Sequence, residues 1–258
     1  GKMNSNLNLI TETSFSLQGK KILITGATSG IGRQVAIDCA RFGAQLILSA
    51  RSEERMEEVM AILDGDSHSS ILGDLTEPET IKRIVSSIDS VDGIVLCAGI
   101  GKTLPFKFCT RDNFDEVYEV NFFSQLELLR NLVRGKHISK NASVVFMSSI
   151  GGLNVFTPGN IIYGSSKAAL DSAMKFCALE LAPNIRVNSI MPGMINTSLI
   201  KNRSAFSSEQ LANDIKKYPL GRYGETDDIS SGVIFLLSAA SKWITGQTLV
   251  IDGGRTLL

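Results

Sequence analysis

Apolar and polar positions come in alternating blocks along this chain. Lys21-Ile22-Leu23-Ile24 is a short apolar run ending in a glycine-rich turn. Ile31, Val35, Ile37 and Cys39 then mark a largely helical stretch that stops at Gly43. Leu46-Ile47-Leu48 predicts a second buried strand, and Ser52 predicts the cap of a charged helix, Glu53 to Met60. The alternation continues with a strand near Ser70–Leu72, a helix from Pro78, a strand at Gly93–Cys97 and a helix through Val120–Val133. A strand at Val144–Met147, a helix from Tyr163 to Leu181, a strand at Arg186–Ile190, a late helix Asp227–Ser238 and a last strand Gln247–Ile251 complete the series. Repeated βα units with continuously apolar strands predict a parallel sheet covered by helices on both faces. Residues 1–16 read as a flexible N-terminal tail. The polar stretch Ser198–Tyr218, rich in Ser, Asn and Lys, reads either as a substrate lid or as a solvated helical excursion. Insertions after strand carboxyl ends overhang the ligand crevice of a doubly wound sheet.

Composition narrows the function classes. At 258 residues the chain suits one sizeable α/β domain. Its 26 basic and 26 acidic side chains balance, so no overall field draws it to nucleic acid or to an anionic membrane. No apolar run approaches the roughly 20 residues of a membrane span, and the start of the chain, with Asn4, Asn6 and Asn8, lacks the apolar core of a signal peptide. Cys39, Cys97, Cys109 and Cys177 are scattered without a CxxC pair, a pattern that fits a reducing cytoplasm. His68 and His137 are the only histidines and stand outside any Cys/His/carboxylate cluster, which argues against a catalytic zinc and a Ser-His-Asp triad.

Two groups of residues carry candidate chemistry. Gly26, Gly30 and Gly32 follow a strand and open a helix, where they permit a tight turn, a close approach of backbone to phosphate, and close helix–sheet packing. Their G-x-x-x-G-x-G spacing differs from the commoner G-x-G-x-x-G. The second strand ends at Ser49-Ala50-Arg51. The carboxylate that grips an NAD ribose is missing there, and a guanidinium suited to a 2′-phosphate follows, so NADP is expected over NAD. Asp74, in Gly73-Asp74-Leu75, either holds the adenine edge or only caps the turn before Thr76, itself an expected helix cap. Downstream, Tyr163 and Lys167 are four apart at a helix start and share a face. A phenol has an unperturbed pKa of about 10; a neighbouring ammonium lowers it and lets Tyr163 give a proton to a carbonyl oxygen or take it back. Ser149, at the end of an apolar strand, is placed to hydrogen-bond the same carbonyl, with Ser148 as the alternative. Phe106, Phe108, Phe156 and the Met191/Met194 region either line an apolar pocket or pack in a core or subunit interface.

With these residues in place, the chain from about Leu17 to Gly254 resembles the short-chain dehydrogenase/reductases. Thr25-Gly26-x-x-x-Gly30-x-Gly32 matches the family's cofactor motif and Tyr163-Gly-Ser-Ser-Lys167 its active-site motif. Asn121 sits where the family places a fourth catalytic residue, and Asn188–Gly193 and Gly246–Gly254 resemble its strand-ending segments. The resemblance implies a single-domain Rossmann-type doubly wound fold over residues 17–258. It also implies Tyr163 as acid/base, Ser149 as the group that polarises the carbonyl, Lys167 as the residue that tunes Tyr163 and binds the nicotinamide ribose, and Asn121 as support for a proton-relay water. Cofactor contacts are expected at Gly26, Ser29, Gly30, Ile31, Gly32, Arg51, Asp74, Leu75, Ala98, Gly99, Tyr163, Lys167, Ile195 and Thr197. Two departures stand out: Leu96-Cys97-Ala98-Gly99 lacks the family's bracing amides, and Ser149 lies one residue farther from Tyr163 than is usual. The segments Pro219–Glu225 and Gly246–Gly254 resemble 3-oxoacyl-acyl carrier protein reductases and recur in sugar and polyol dehydrogenases. The expected activity is NADPH-dependent reduction of a carbonyl, with an acyl thioester as one candidate substrate. The alternatives are a sugar or polyol dehydrogenase and a non-catalytic nucleotide-binding regulatory protein. The family also implies a homotetramer, through two long helices and the last strand.

Overall fold

The computed structural model describes residues 7–197 and 207–258. Its strands are β1 (Lys21–Thr25), β2 (Gln45–Ala50), β3 (Ser69–Leu72), β4 (Val91–Leu96), β5 (Ile138–Met147), β6 (Ile185–Pro192) and β7 (Thr248–Ile251). They form one parallel sheet in the order β3-β2-β1-β4-β5-β6-β7, so the winding reverses between β1 and β4. In an open α/β sheet the crevice at such a reversal, beyond the strand carboxyl ends, is where ligands bind.

Continuous apolar strands follow from burial on both faces. Along β1, Ile22 and Ile24 point into one core and Leu23 into the other, each fully buried. In β5, Val145 and Met147 belong to the first core while Val144 and Phe146 belong to the second. Each fully buried Leu, Ile, Val or Phe contributes about 1.5–3 kcal/mol, so both faces are strongly driven. The first core is closed by α1 (Gly30–Arg41) and by the late helix Thr226–Leu237, the second by α3 (Pro78–Ser86), α5 (Ser124–Arg134) and α6 (Ile161–Leu181). The remaining helices are α2 (Glu53–Ile62), α4 (Arg111–Tyr118) and α7 (Ser208–Ile215), and the late helix is α8.

The predicted elements are present, with instructive differences at their ends. The helix expected through Val120–Val133 begins nine residues earlier, at Arg111, because α4 runs through a π-helical turn, Glu119–Phe123, into α5. Only Val117 of α4 is buried, so apolar periodicity is silent there; the signal is the capping box between Thr110 and Asn113. Thr76 does not cap α3. Glu77 is the residue before Pro78, and the Thr76 amide and hydroxyl instead donate to Asp74 Oδ1 at 2.9 and 2.8 Å. Within the expected tail, Glu12–Phe15 forms a 3-10 turn whose Phe15 ring lies 6.4 Å from that of Phe235. Of the stretch expected as a lid, residues 198–206 lie outside the described residues; the rest is α7, capped by Ser207, and a turn ending at the buried Tyr218.

Candidate active site

A cleft of about 1580 Å³ opens at the β1/β4 reversal, and every sequence-predicted site residue except Asn121 lines it. The first wall is the turn from β1 into α1. Gly26 and Gly30 adopt φ of 61° and 52°, the left-handed region that glycine occupies without strain. A Cβ on Gly32 would sit 2.0 Å from the Gly26 carbonyl oxygen, and one on Gly26 would sit 2.8 Å from Ala98 N. No side chain fits at either place. The N-terminus of α1, with its unpaired N–H groups, faces the cleft beside Ser29 and Ile31. Thr197 closes over the turn, its Cγ2 3.5 Å from the point a Gly30 Cβ would occupy. Thr197 and Ile195 are held by a short strap: Asn196 N donates to Gly224 O at 2.8 Å and Gly224 N to Met194 O at 2.9 Å.

One arm of the cleft runs past the ends of β2 and β3. Arg51, just before the Ser52 cap, and Arg55, in the first turn of α2, are both exposed and line this arm. Sequence reasoning missed Arg55, although it stands in the first turn of the helix expected after β2. Ser49 is buried there, and its hydroxyl has no hydrogen-bond partner among the described residues. A buried hydroxyl lacking a partner is costly; polar atoms of Thr80, Gln125 and Ser230 share that condition away from the cleft, so the polar character of this arm rests on its two guanidiniums. The glycine cradle, the helix N-terminus and the two guanidiniums together fit a dinucleotide with a ribose at this end. Asp74 spends one carboxylate oxygen on Thr76 and still lines the cleft, next to the buried Leu75.

The centre is braced without the family's amides. Thr25 Oγ1 accepts from Cys97 N at 3.1 Å and Ala98 N at 3.3 Å, tying β1 to the end of β4. The buried Gln125 amide donates to Ala98 O from the other side. Sequence reasoning gave neither residue this role, since nothing in either's local sequence marks it. Gly99 sits between two catalytic candidates: a Cβ there would lie 3.3 Å from Lys167 Nζ and 3.4 Å from Asn121 Oδ1. Asn121 is fully buried in the π-helical turn, and its amide clamps Ile100. Oδ1 accepts from Ile100 N at 2.8 Å, while Nδ2 donates to Ile100 O at 3.0 Å and to Ser166 Oγ at 3.1 Å.

The two serines divide their work. Ser148 is buried and donates to the Lys167 carbonyl at 3.3 Å, a bond that joins β5 to α6. Ser149 stands partly exposed on the cleft wall, its Oγ accepting from Gly151 N at 3.1 Å. The loop after it folds hard onto α6. Gly152, at φ 91°, approaches Gly164 so closely that a Cβ would lie 2.2 Å from the Gly164 oxygen. That contact ties the Ser149 loop to the turn carrying Tyr163. Lys167 is buried, donates to Met147 O at 2.9 Å, and holds Nζ 5.9 Å from the centroid of the Tyr163 ring. Burial pushes its ammonium down to about 8, which leaves it predominantly charged at neutral pH. A charged ammonium beside the Tyr163 ring stabilises a phenolate, and Ser149 opens on the same space. The arrangement can polarise a carbonyl and move a proton to or from its oxygen.

Of the three places expected for the phenylalanines, the chain's own core and the cleft wall do not hold them. Phe106, Phe108 and Phe156 are 71, 57 and 78% exposed and lie in neither the core nor the cleft wall. They sit in the loops after β4 and β5, which are joined to each other by Leu104 N donating to Gly159 O rather than packed on the sheet. Met191 is buried, and Met194 lines the cleft.

This geometry has known relatives. A family model described as "Enoyl-(Acyl carrier protein) reductase" matches residues 26–256. A 3-oxoacyl-(acyl-carrier-protein) reductase of Rickettsia bellii is 33% identical over 94% of this chain and 99% of its own length. L-xylulose reductase of Mesocricetus auratus is 31% identical over 92% of this chain and 97% of its own. The crystal structure of a dehydrogenase/reductase from Sinorhizobium meliloti superposes with a TM-score of 0.85 at 31% identity, covering 94% of this chain and 97% of that one. The chain belongs to the short-chain dehydrogenase/reductase family and is an NAD(P)-dependent oxidoreductase.

Proposed function

We propose that this protein is an NADPH-dependent carbonyl reductase whose substrates include 3-oxoacyl thioesters. The observation that carries the cofactor preference is the arm after β2, where Arg51 and Arg55 line the cleft and the strand-end carboxylate is missing. A 2′-phosphate there gains charge-assisted hydrogen bonds from a guanidinium fork. Bound nicotinamide supplies or accepts the hydride. The chain's own residues do the rest: Ser149 orients and polarises the carbonyl, Tyr163 gives the proton to its oxygen, Lys167 favours the phenolate that remains, and Asn121 supports a relay water. Gly26, Ser29, Gly30, Ile31 and Gly32 hold the pyrophosphate, Asp74, Leu75, Ala98 and Gly99 the adenosine side, and Ile195 and Thr197 the carboxamide and phosphate side. Of the segment read as a lid, α7 and the turn to Tyr218 border the substrate end of the cleft through Leu211, Asp214, Ile215 and Tyr218; residues 198–206 lie outside the described residues. The test is oxidation of NADPH and, separately, NADH with an acetoacetyl thioester as acceptor. Turnover with NADPH alone is expected, and Arg51→Asp should lower kcat/KM for NADPH on the order of 10²-fold, since a hydrogen bond to a charged group contributes roughly 1.5–3 kcal/mol. Equal use of both cofactors by the wild type would overturn the preference. The likeness to an L-xylulose reductase supports a second reading, a sugar or polyol substrate at the same site; reduction of a ketose with no turnover of the thioester would select it.

The assembly belongs to the same proposal. Phe176 and Leu179 on α6 are 66 and 79% exposed, Trp243 just before β7 is 97% exposed, and β7 is an edge strand. Copies of the chain covering the α4–α5 and α6 helices and β7 would bury these side chains in a homotetramer. Light scattering should give four chains per particle, and a monomer would defeat the idea. A cytoplasmic site is supported by the four free cysteines. No helix among the described residues is long and apolar enough to cross a membrane.

A further inference from the structure

Beyond Met194 the cleft has a second arm, lined by α7, by the turn Lys217–Tyr223 and by Arg255, three residues from the end of the chain. The turn that presents Arg255 is tightly built. The Asp252 carboxylate accepts from Gly254 N at 3.0 Å and Thr256 N at 2.8 Å, while Asp252 O accepts from Arg255 N at 3.1 Å. Gly254, at φ 86°, presses on Pro219, and Leu220 N donates to Gly253 O at 3.1 Å. Across the sheet, a Cβ on Gly193 would lie 2.9 Å from Asp252 Cα and 3.3 Å from the Tyr218 ring. The turn is therefore anchored to the end of β6, which forms the wall between this arm and the catalytic centre.

The other cations bordering this arm are paired directly and Arg255 is not, while the Asp252 carboxylate of its own turn is held by two backbone amides. Asp214 is engaged by the Tyr223 hydroxyl and by Lys217, whose Nζ is 3.1 Å away. Arg222 forks onto Asp228 with contacts of 2.6 and 3.1 Å. Lys102, at the cleft mouth, pairs with Glu116 at 2.7 Å. Among the described residues Arg255 has no ion pair, although it is only partly exposed. A partly exposed guanidinium with no direct ion pair keeps its fork open to an anion that enters the arm.

We propose that Arg255 is the anion-recognition residue of the substrate arm, taking a carboxylate or phosphate oxygen carried by the ketone away from the carbonyl that Ser149 and Tyr163 address. This rests on the reductase reading and specifies its substrate class. The planar fork of Arg matches both anions. They have two sources: the carboxylate of a small oxo acid, or the phosphates of a pantetheine-type thioester arm.

Two substrate pairs separate the sources: acetoacetyl-coenzyme A against acetoacetyl-N-acetylcysteamine, which lacks the phosphates, and acetoacetate against its ethyl ester. The wild type should favour the charged member of one pair, and that pair names the source. In Arg255→Leu the charged-over-neutral ratio of kcat/KM should fall on the order of 10²-fold, the loss residing in KM because the contact is made equally in ground and transition states. Arg255→Lys should recover part of it, since it keeps the charge without the fork. An unchanged ratio in Arg255→Leu overturns the proposal. Should the wild type reduce none of the four, the reductase reading has failed on substrate, and the anion site is tested directly. With NADPH saturating the cofactor cradle, inorganic phosphate or succinate should raise the melting temperature of the wild type and not that of Arg255→Leu. Equal or absent protection in the two proteins overturns the site.

Discussion

Replacing Tyr163 by Phe should lower kcat about 10³-fold while leaving NADPH affinity within a few-fold of the wild type. Proton transfer by a positioned side chain contributes roughly 10²–10⁴-fold, and this substitution removes only the atom that carries the proton. The ring remains, so its packing beside Lys167, whose Nζ is 5.9 Å from the ring centroid, is kept, as is the first turn of α6. The Gly152–Gly164 contact that fixes the Ser149 loop is made by backbone and is untouched. Steady-state turnover and fluorescence titration with NADPH read the two effects separately. Turnover near the wild-type rate in Tyr163→Phe would mean that another group delivers the proton, and the roles given to Ser149 and Lys167 would fall with it. Loss of NADPH binding together with activity would mean that the hydroxyl acts chiefly as a cofactor ligand.

The sequence was most readable where one physical demand dominates. Strands buried on both faces are largely apolar, so β1, β2 and β4 stood out through Ile22–Ile24, Leu46–Leu48 and Ile94–Leu96, and with them the α/β architecture. A phosphate turn demands glycine where a Cβ would meet backbone, and Gly26 and Gly32 meet that demand at 2.8 and 2.0 Å. Legibility failed where a residue's partner is distant in the chain. Thr25 looks like the end of a strand, and only the fold brings Cys97 and Ala98 to its hydroxyl. Gln125 looks like a surface residue of a helix, yet it is fully buried against Ala98. Helix α4 escaped because its face is polar, and the first half of β5 because Ser139, Lys140 and Asn141 interrupt the apolar run. Arg255 lies in the last turn of the chain, where nothing local shows that it borders the cleft.

Lys167→Met should destroy activity and, at neutral pH, make the protein more stable. The physical cause is the same for both effects. Burial of the ammonium lowers its pKa from 10.5 to about 8, so the folded state holds this proton more weakly than the unfolded chain does. Below about pH 8 the charged form is present in both states, and the fold carries the full cost of burying it, about 3 kcal/mol. As pH rises from about 8 towards 10.5 the folded protein sheds the proton first and the cost fades, so wild-type stability should climb across that window. Met fills a similar volume without a charge. It forfeits the bond to the Met147 carbonyl, about 1 kcal/mol, leaving a net gain of about 2 kcal/mol at pH 7. For a chain of this size that is roughly 4–8 °C in melting temperature. Thermal unfolding of the two cofactor-free proteins at pH 7 and pH 9.5 checks the sign: the variant's advantage should be large at the lower pH and shrink at the higher. A variant less stable than the wild type at pH 7 would show that the surroundings of Lys167 hold its charge without cost. In that case the ammonium would be a structural tie between β5 and α6, and its catalytic service to Tyr163 would come without the stability penalty argued here.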